Sequence, residues 1–334
     1  EQEHDNLRAA LAWCGDEEVL LGLQMATALS EFWFARSYFA EGSGQLLRLL
    51  AQPTAPKGGM VRARALCAAG YLVERRGNYS AAQAMIEESL ALCQAEGDQA
   101  GIAKARYSLG LVAFYQHDYQ QAQSHYGAAL SLYRQLGDLA AIAALLSNWG
   151  QLAKDQGDYP QATRHLEEGL AVAQQLGNRY TVGRIYNSLA LVTFWQGDFA
   201  RSEHFSSESL ALHRQLGDKH GMAYALENLG AVANHRGDPV TATRHITESL
   251  TLFREIDDKV GILIALDDLG VLAAHQGQLP EAAHYHRQSL RLAWQIQEKR
   301  YIAFALERLA FALGATAIAV QLYAAAATLR TTIG

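Results

Sequence analysis

Cysteine is sparse in this chain: Cys14, Cys67 and Cys93 are odd in number, and no two stand in CxxC spacing. That excludes a disulfide framework and a zinc ribbon, and it makes a reducing cytoplasm the expected location. No apolar run reaches the roughly 18 residues of a membrane-spanning helix, and the opening EQEHD is not a signal peptide. No membrane attachment is expected. Positive charge is short as well. The formal net charge is −6 with a pI near 6.1, so the basic face that nucleic-acid binders present is missing, and no direct nucleic-acid contact is expected. Catalytic signatures are absent too. There is no Gly-x-x-x-x-Gly-Lys-Ser/Thr, no Gly-x-Ser-x-Gly and no HExxH, so the segment is expected to be non-catalytic and without a cofactor. Proline occurs only five times: Pro53 and Pro56 in one loop, and Pro160, Pro239 and Pro280 at equivalent helix starts, where the missing N–H is harmless.

What is present is a period of forty residues. Ala69-Gly70, Leu109-Gly110, Trp149-Gly150, Leu189-Ala190, Leu229-Gly230, Leu269-Gly270 and Leu309-Ala310 return without drift. A second column is leucine throughout, from Leu90 through Leu130, Leu170, Leu210 and Leu250 to Leu290. Each of these leucines follows a small residue: Ser89, Ala129, Gly169, Ser209, Ser249 and Ser289. Such self-similarity implies a solenoid whose units bury their apolar faces only against neighbours. Two breakers alternate, one set being Gly157-Asp158, Gly197-Asp198 and Gly237-Asp238, the other Gly97-Asp98, Gly137-Asp138 and Gly217-Asp218. Glycine ends one helix in the left-handed region and the acid caps the next. The predicted fold is therefore all-α, a right-handed α-solenoid of antiparallel helical pairs.

Three segments are expected. Residues 1–57 hold N-terminal helices over 1–14, 16–36 and 38–50, with a turn at 36–38 and a Pro/Gly loop at 52–59. Residues 58–297 hold six regular units, and 298–334 form a shortened capping repeat. A chain that opens on Glu1 already in helical pattern reads as a piece of a longer protein. The glycines at 110, 150, 230 and 270 occupy helix interiors, where each costs about 0.5–1 kcal/mol relative to alanine. A close backbone approach is expected there, and Gly150→Leu is expected to destabilise.

Leu109-Gly110, with Ala122 twelve residues after the glycine and Ala129 seven beyond, resembles the tetratricopeptide repeat. The match is partial: Arg106 and Ala113 stand where that family has bulky and aromatic residues, and the unit is forty residues rather than 34. This likeness is to the long-repeat subclass of bacterial multidomain regulators. A narrower resemblance rests on residues 3–13 (EHDNLRAALAW), the Glu-Ser-Leu-Ala-Leu form at 88–92 and 208–212, the Leu-Gly-Asp turns and the closing AAAATLR at 324–330. These look like the repeat region of bacterial signal-transduction ATPases and transcriptional regulators. The resemblance implies ATPase and effector domains elsewhere in a longer chain.

In the family resembled, the first helix of each pair faces a ligand. Carried over, the columns give Lys104, Tyr107 and Tyr115 in one unit, with Ser108, Leu111 and Phe114 beside them, and Asn148, Gln151 and Lys154 with Ser147 and Asp155 in the next. Arg184, Asn187 and Trp195 follow, with Ser188 and Phe194, then Tyr224, Glu227 and Asn228 with Asn234 and His235. Asp267, Asp268 and Arg308 close the set, with His275 and Glu307. Asn148, Asn228 and Asp268 share one column, and a carboxamide both donates to and accepts from a peptide backbone. Asp267-Asp268 favours a cationic group. Phe114-Tyr115 and Phe194-Trp195 are candidate anchors, or neighbours that simply pack at a turn. His125, His165 and His245 share a column, but helix pairs stand about 10 Å apart and Zn–N bonds span about 2 Å, so no metal site is expected. Glu87 and Glu167 read as solvated charge.

The function expected is a protein- or peptide-interaction and ligand-sensing domain of a cytoplasmic bacterial regulator. Its partner in the groove would be a protein or peptide segment or a small inducer. A passive oligomerising scaffold is the alternative. An RNA-reading helical repeat is a third reading, which lacks its 35-residue unit and its basic groove.

Overall fold

The computed structural model describes residues 2–36 and 38–333. Every regular element among them is a helix. The chain divides into two compact units, Glu1–Leu152 and Ala153–Gly334. The first contains α1 (Gln2–Glu17), α2 (Val19–Ala28), α3 (Ser30–Ala35), α4 (Phe39–Leu50), α5 (Gly59–Glu74), α6 (Tyr79–Glu96), α7 (Gln99–Tyr115) and α8 (Tyr119–Leu136). The unit boundary falls inside α9 (Leu139–Asp155). The second contains α10 (Tyr159–Gln175), α11 (Arg179–Trp195), α12 (Phe199–Leu216), α13 (Lys219–His235) and α14 (Pro239–Glu255). It continues with α15 (Lys259–His275), α16 (Leu279–Gln295), α17 (Lys299–Leu313) and α18 (Ala317–Ile333). Within each unit, successive helices pack on one another as hairpins, so the fold is an all-α array of antiparallel helical pairs.

The N-terminal helices depart from the expected bounds. The helix predicted over 16–36 is broken at Leu29 into α2 and α3. Near the break, Thr27 Oγ1 donates to Leu23 O at 2.7 Å and Ser30 Oγ donates to Thr27 O at 2.7 Å, so local hydroxyls compete with the helical ladder. The break lets Trp33 enter the core, where it is almost wholly buried with Leu23, Leu46 and Leu72. The predicted turn at 36–38 includes Ser37, which lies outside the described residues. The loop at 52–59 is irregular up to Gly58, and α5 starts at Gly59.

The turns follow the Gly-Asp logic. The glycines at 77, 97, 137, 157, 177, 197, 217, 237 and 277 all have φ between 63° and 79°. Where glycine is replaced, His117, Asp257 and Gln297 take the same conformation, with φ of 63°, 55° and 58°. Asp118, Asp158, Asp198 and Asp238 each accept a hydrogen bond from the backbone N–H three residues on, at 3.0–3.1 Å. Gln278, in the same register, and Asp98, in the alternate turn, have no side-chain cap.

Packing within a pair is a lock of large residue into absent side chain. A Cβ on Gly110 would stand 2.5 Å from the Tyr126 ring, one on Gly230 2.5 Å from Ile246 Cγ1, and one on Gly270 2.4 Å from His286 Cε1. Gly150, in the same column, is buried. Where the column holds Ala190 instead, the residue in the facing register is the small Ser206. Ala310 likewise meets the small Ala326 in the facing register, so the partner helix gives way at both positions where the first helix carries a Cβ. The small residues before the Leu column have a polar use as well. Ser89, Ser209 and Ser249 are buried and donate to the carbonyls of Ala63, Gly183 and Ala223 at 2.7–2.9 Å. Each ties the second helix of a pair to the first. At the C-terminus α18 packs on α17, yet Ile318, Val320 and Tyr323 remain exposed. Ile318 and Val320, two apart on the helix, expose apolar surface on different sides of α18.

Candidate ligand-binding site

The first helices of the N-terminal unit use their polar and aromatic residues on each other. Arg75, just past α5, lies 5.2 Å from the Phe34 ring centroid, 5.5 Å from Tyr71 and 5.6 Å from Tyr115. Its Nη1 donates to Tyr115 Oη at 3.1 Å, and its Nε is 3.3 Å from the buried carboxylate of Glu74. A cation, an acid and three aromatic faces thus close this part of the unit. Burial pushes the Glu74 carboxyl up, with Arg75 pulling against it. Tyr115 also stacks on Tyr79 at 6.0 Å. Asn148 Nδ2 donates to Tyr107 Oη, so this column clasps one first helix to the previous one. Ser108 and Leu111 are buried, Gln151 is half-buried and Lys104 is exposed.

In the C-terminal unit the same columns enclose a cavity of about 660 Å³, within the range of small-molecule and peptide pockets. Of the residues singled out from the sequence, Lys154, Trp195, Tyr224, Glu227, Asn228, Asp267, Asp268 and Arg308 line it, as do Phe194, Asn234 and His235. Arg184 and Asn187 do not. Arg184 is exposed, while Asn187 Nδ2 donates to Gly221 O at 3.1 Å. Asn228 Nδ2 in turn donates to Asn187 O at 3.3 Å. The stacked carboxamides therefore each commit a donor to a neighbouring helix, and Asn228 keeps its carbonyl oxygen and a second N–H. Phe194 and Trp195 pack edge to face at 5.7 Å, with Trp195 58% exposed.

The carboxylates differ in how they are satisfied. Asp267, buried, pairs with Arg308 through Oδ2, while His286 Nδ1 lies 3.3 Å from Oδ1. Burial lowers the His286 pKa to about 4, so this imidazole is neutral near pH 7. Of the His284-Tyr285-His286 run, His284 is exposed and His286 is buried, as spacing of two on a helix requires. Glu227 is 7% exposed, and neither of its carboxylate oxygens has a hydrogen-bond partner in the protein. Burial, then the nearby Asp268 and Asp258, push its pKa well up. Asp268 is raised to about 6, also by burial. Tyr301, across the cavity on α17, is pushed up to about 12 by burial and then by Glu227. The cavity therefore holds a carboxyl, Glu227, to which the protein supplies no hydrogen-bond donor.

Several lining residues escaped the sequence reading, although their signal was in the period. Ile264 and Phe304 share the column of Lys104, Arg184 and Tyr224, and Leu191, Ala231 and Val271 share that of Leu111 and Gln151. Polarity marks some members of each column and not the rest. Arg300 and Tyr301 come from the start of α17. Of the box around Arg75, Tyr71, Glu74 and Arg75 fall in the columns of Leu111, Phe114 and Tyr115, one period earlier, while its Phe34 wall lies in the irregular N-terminal helices, outside the period. On the outer side, Glu167 is more than solvated charge: it accepts from Arg201 at 2.7 Å, and Glu203 accepts from Arg236 at 2.6 Å. Glu87 accepts from Gln83 Nε2 on the same helix at 2.9 Å. Among the described residues no group of three or more His, Cys, Asp or Glu side chains is arranged to hold a metal ion, and no helix is long and apolar enough to cross a membrane.

No curated protein matches the sequence. Among solved structures, the chain is similar to the apo form of RapI, with 12% identity, 83% of this chain and 99% of that one covered, and a TM-score of 0.68. It is similar as well to a Rap protein complexed with competence and sporulation factor, at 14% identity, 93% and 86% coverage and a TM-score of 0.63. A third is a Signal Transduction ATPase with Numerous Domains with a tetratricopeptide repeat sensor from Pyrococcus horikoshii. It shows 13% identity over 87% of this chain and 50% of that one, with a TM-score of 0.58. At these identities the likeness shows the fold. The family model named Tetratricopeptide repeat matches residues 61–135, 101–175, 141–215 and 221–293, well over half of the sequence. With the helical pairs, the Gly-Asp turns and the interlocking glycine columns in place, the chain belongs to the tetratricopeptide repeat family.

Proposed function

We propose that this chain is the non-catalytic interaction and sensing domain of a cytoplasmic bacterial regulator, and that the cavity of the C-terminal unit receives a peptide segment of a partner or a small inducer. Tetratricopeptide repeats generally mediate protein interactions. The reading is carried by one observation: first-helix columns that pack against each other in the N-terminal unit open into a cavity of about 660 Å³ in the C-terminal unit. Two similar folds point the same way. One is a Rap protein described in complex with competence and sporulation factor, and the other carries a repeat array described as a sensor in a multidomain ATPase. A bound segment would bridge α13, α15 and α17, and so shift the balance between their packing arrangements. Calorimetric titration of displayed-library peptides against wild type and a cavity-filling Ala231→Trp protein tests this. Binding is expected to wild type alone, and equal binding to both moves the interaction elsewhere.

A second reading, the oligomerising scaffold, draws on Ile318, Val320 and Tyr323 of α18, all apolar or aromatic and exposed. Sedimentation over a hundredfold concentration range separates the two. A mass that rises with concentration and falls back in Ile318→Lys/Val320→Lys supports the scaffold.

A further inference from the structure

The cavity of the C-terminal unit contains a buried carboxylate for which the protein supplies no donor. Glu227 is more than nine-tenths buried, lines the cavity, and has no hydrogen-bond partner on either oxygen. Asp268, on the next first helix, lines the same cavity and makes the acid double. Leaving ionisable groups buried and unmatched is unfavourable, and a folded protein tolerates it where an outside group completes the set. Cations lining the cavity do not fill this role. Arg308 is paired with Asp267 and Lys154 with Asp155, while Arg300 is an exposed residue at the start of α17.

The walls say more about the missing group. Tyr224 and Tyr301 line the cavity with Phe304 and Trp195, and aromatic faces attract cations through their negative quadrupole. Asn228, with an amide donor already committed to Asn187, offers an acceptor. The N-terminal unit holds a counterpart with its own cation: Arg75 stands 3.3 Å from the Glu74 carboxylate, as an ion pair without a hydrogen bond between Nε and Oε2, among the rings of Phe34, Tyr71 and Tyr115. There the chain supplies its own guanidinium to an aromatic box with an acid.

We infer that the cavity between α13, α15 and α17 is a receptor for an organic cation, an alkylammonium or guanidinium group that enters beside Glu227 and Asp268 and is flanked by the rings of Tyr224 and Tyr301. This rests on the cavity being the ligand site and specifies its chemistry. The cation arrives either on a free amine or on a lysine or arginine side chain of a peptide. The other charged and titratable groups around it are Asp258 and Asp267 on the α15 side, Arg300 and Arg308 on α17, and Lys154 and His235 at helix ends. Binding strengthens as pH rises through the ionisation of the two acids.

The test uses the full chain. Calorimetry with 1-aminopentane and its neutral isostere 1-pentanol should give at least tenfold tighter binding of the amine, with the preference reduced tenfold or more in the isosteric Glu227→Gln and again in Asp268→Asn. Equal binding of the two probes, or an undiminished preference in both variants, overturns the inference. A displayed library of random decapeptides forms the second arm. Enrichment of lysine- or arginine-bearing peptides by wild type, lost in Glu227→Gln, supports the side chain as the source of the cation. Enrichment of cavity-dependent peptides without basic residues overturns the cation inference and leaves the peptide reading standing. Amine binding with no enriched peptide supports the inference with a free amine as occupant and removes the peptide.

Discussion

The two units build on the same repeat and treat buried acid in opposite ways. In the N-terminal unit Glu74 has Arg75 beside it, and the guanidinium is held among Phe34, Tyr71 and Tyr115. In the C-terminal unit Glu227 is also buried, neither of its oxygens accepts a hydrogen bond from the protein, and it lines a cavity with aromatic residues. The repeat scaffold does not require this difference, since the Gly-Asp turns and the glycine locks recur in both units. What changes is the content of a few first-helix positions. A solenoid keeps its packing columns constant and varies the columns its packing does not use, so an internal mismatch in those columns points to a partner from outside.

The sharpest way to break the comparison is to empty the completed box. Arg75→Ala leaves Glu74 buried without its cation, and removing one member of a buried pair costs about 3–5 kcal/mol. Chemical denaturation should show that loss, and Arg75→Ala/Glu74→Gln should recover part of it. If Arg75→Ala costs no more than an exposed substitution, the N-terminal box is not a stabilising pair and is no guide to the other cavity. Next in size are the locks common to both units. Gly110→Leu and Gly230→Leu force side chains into space already filled by Tyr126 and Ile246, and overpacking of this kind costs about 1–3 kcal/mol. Similar losses at both positions establish that the scaffold is equivalent and that only the first-helix contents differ. Gly150→Leu belongs to the same series.

The scaffold was legible in the sequence because its causes are local and repeated. A glycine at φ near 70° followed by a capping acid needs no tertiary information, and seven copies remove ambiguity about register. His117, Asp257 and Gln297 keep the turn without glycine because the flanking helices impose it. The break at Leu29 was not legible, since it depends on Trp33 finding the core of the first unit. The candidate site was legible in half. The columns mark Glu227, Asn228, Asp267 and Asp268 by their polarity, which does not mark Ile264 and Phe304 in the column of Tyr224 or Val271 in that of Gln151. The use of Asn148 and Asn228 as inter-helix clasps was invisible as well. A carboxamide that faces a ligand and one that ties two helices are the same letter, and only Tyr107 and the Asn187 carbonyl decide between them.

A smaller effect of opposite sign is expected at Glu227. Its folded pKa lies well above the ordinary value of about 4.3, so the native state holds its proton over a pH range in which the unfolded chain has released it. Stability from this group is therefore greatest at low pH and declines as pH rises through that range. Asp268 adds the same sign between about 4 and about 6. His286, lowered to about 4, acts oppositely, because its stabilising neutral form is lost as pH falls from about 6.5. Glu227→Gln isolates the first of these. Relative to wild type it should gain on the order of 1 kcal/mol at pH 8 and almost nothing at pH 4, read as the difference between two denaturation midpoints. A gain that is constant with pH would mean that Glu227 is not carrying a buried charge.

The smallest effect separates a clasp from a contact surface. Asn228→Ala removes one hydrogen bond between first helices, worth about 0.5–1.5 kcal/mol, and Asn148→Ala removes the equivalent bond to Tyr107 in the N-terminal unit. Only Asn228 lines the cavity. If the carboxamides act as clasps alone, both variants lose similar stability and bind 1-aminopentane as wild type does. If Asn228 also presents its carbonyl oxygen to the cation, its variant loses affinity severalfold while Asn148→Ala keeps it. Both substitutions remove the same group from the same column, so a difference between them reports the cavity and not the repeat. Equal affinities would assign recognition to Glu227, Asp268 and the rings, and leave the asparagine column to hold neighbouring first helices together.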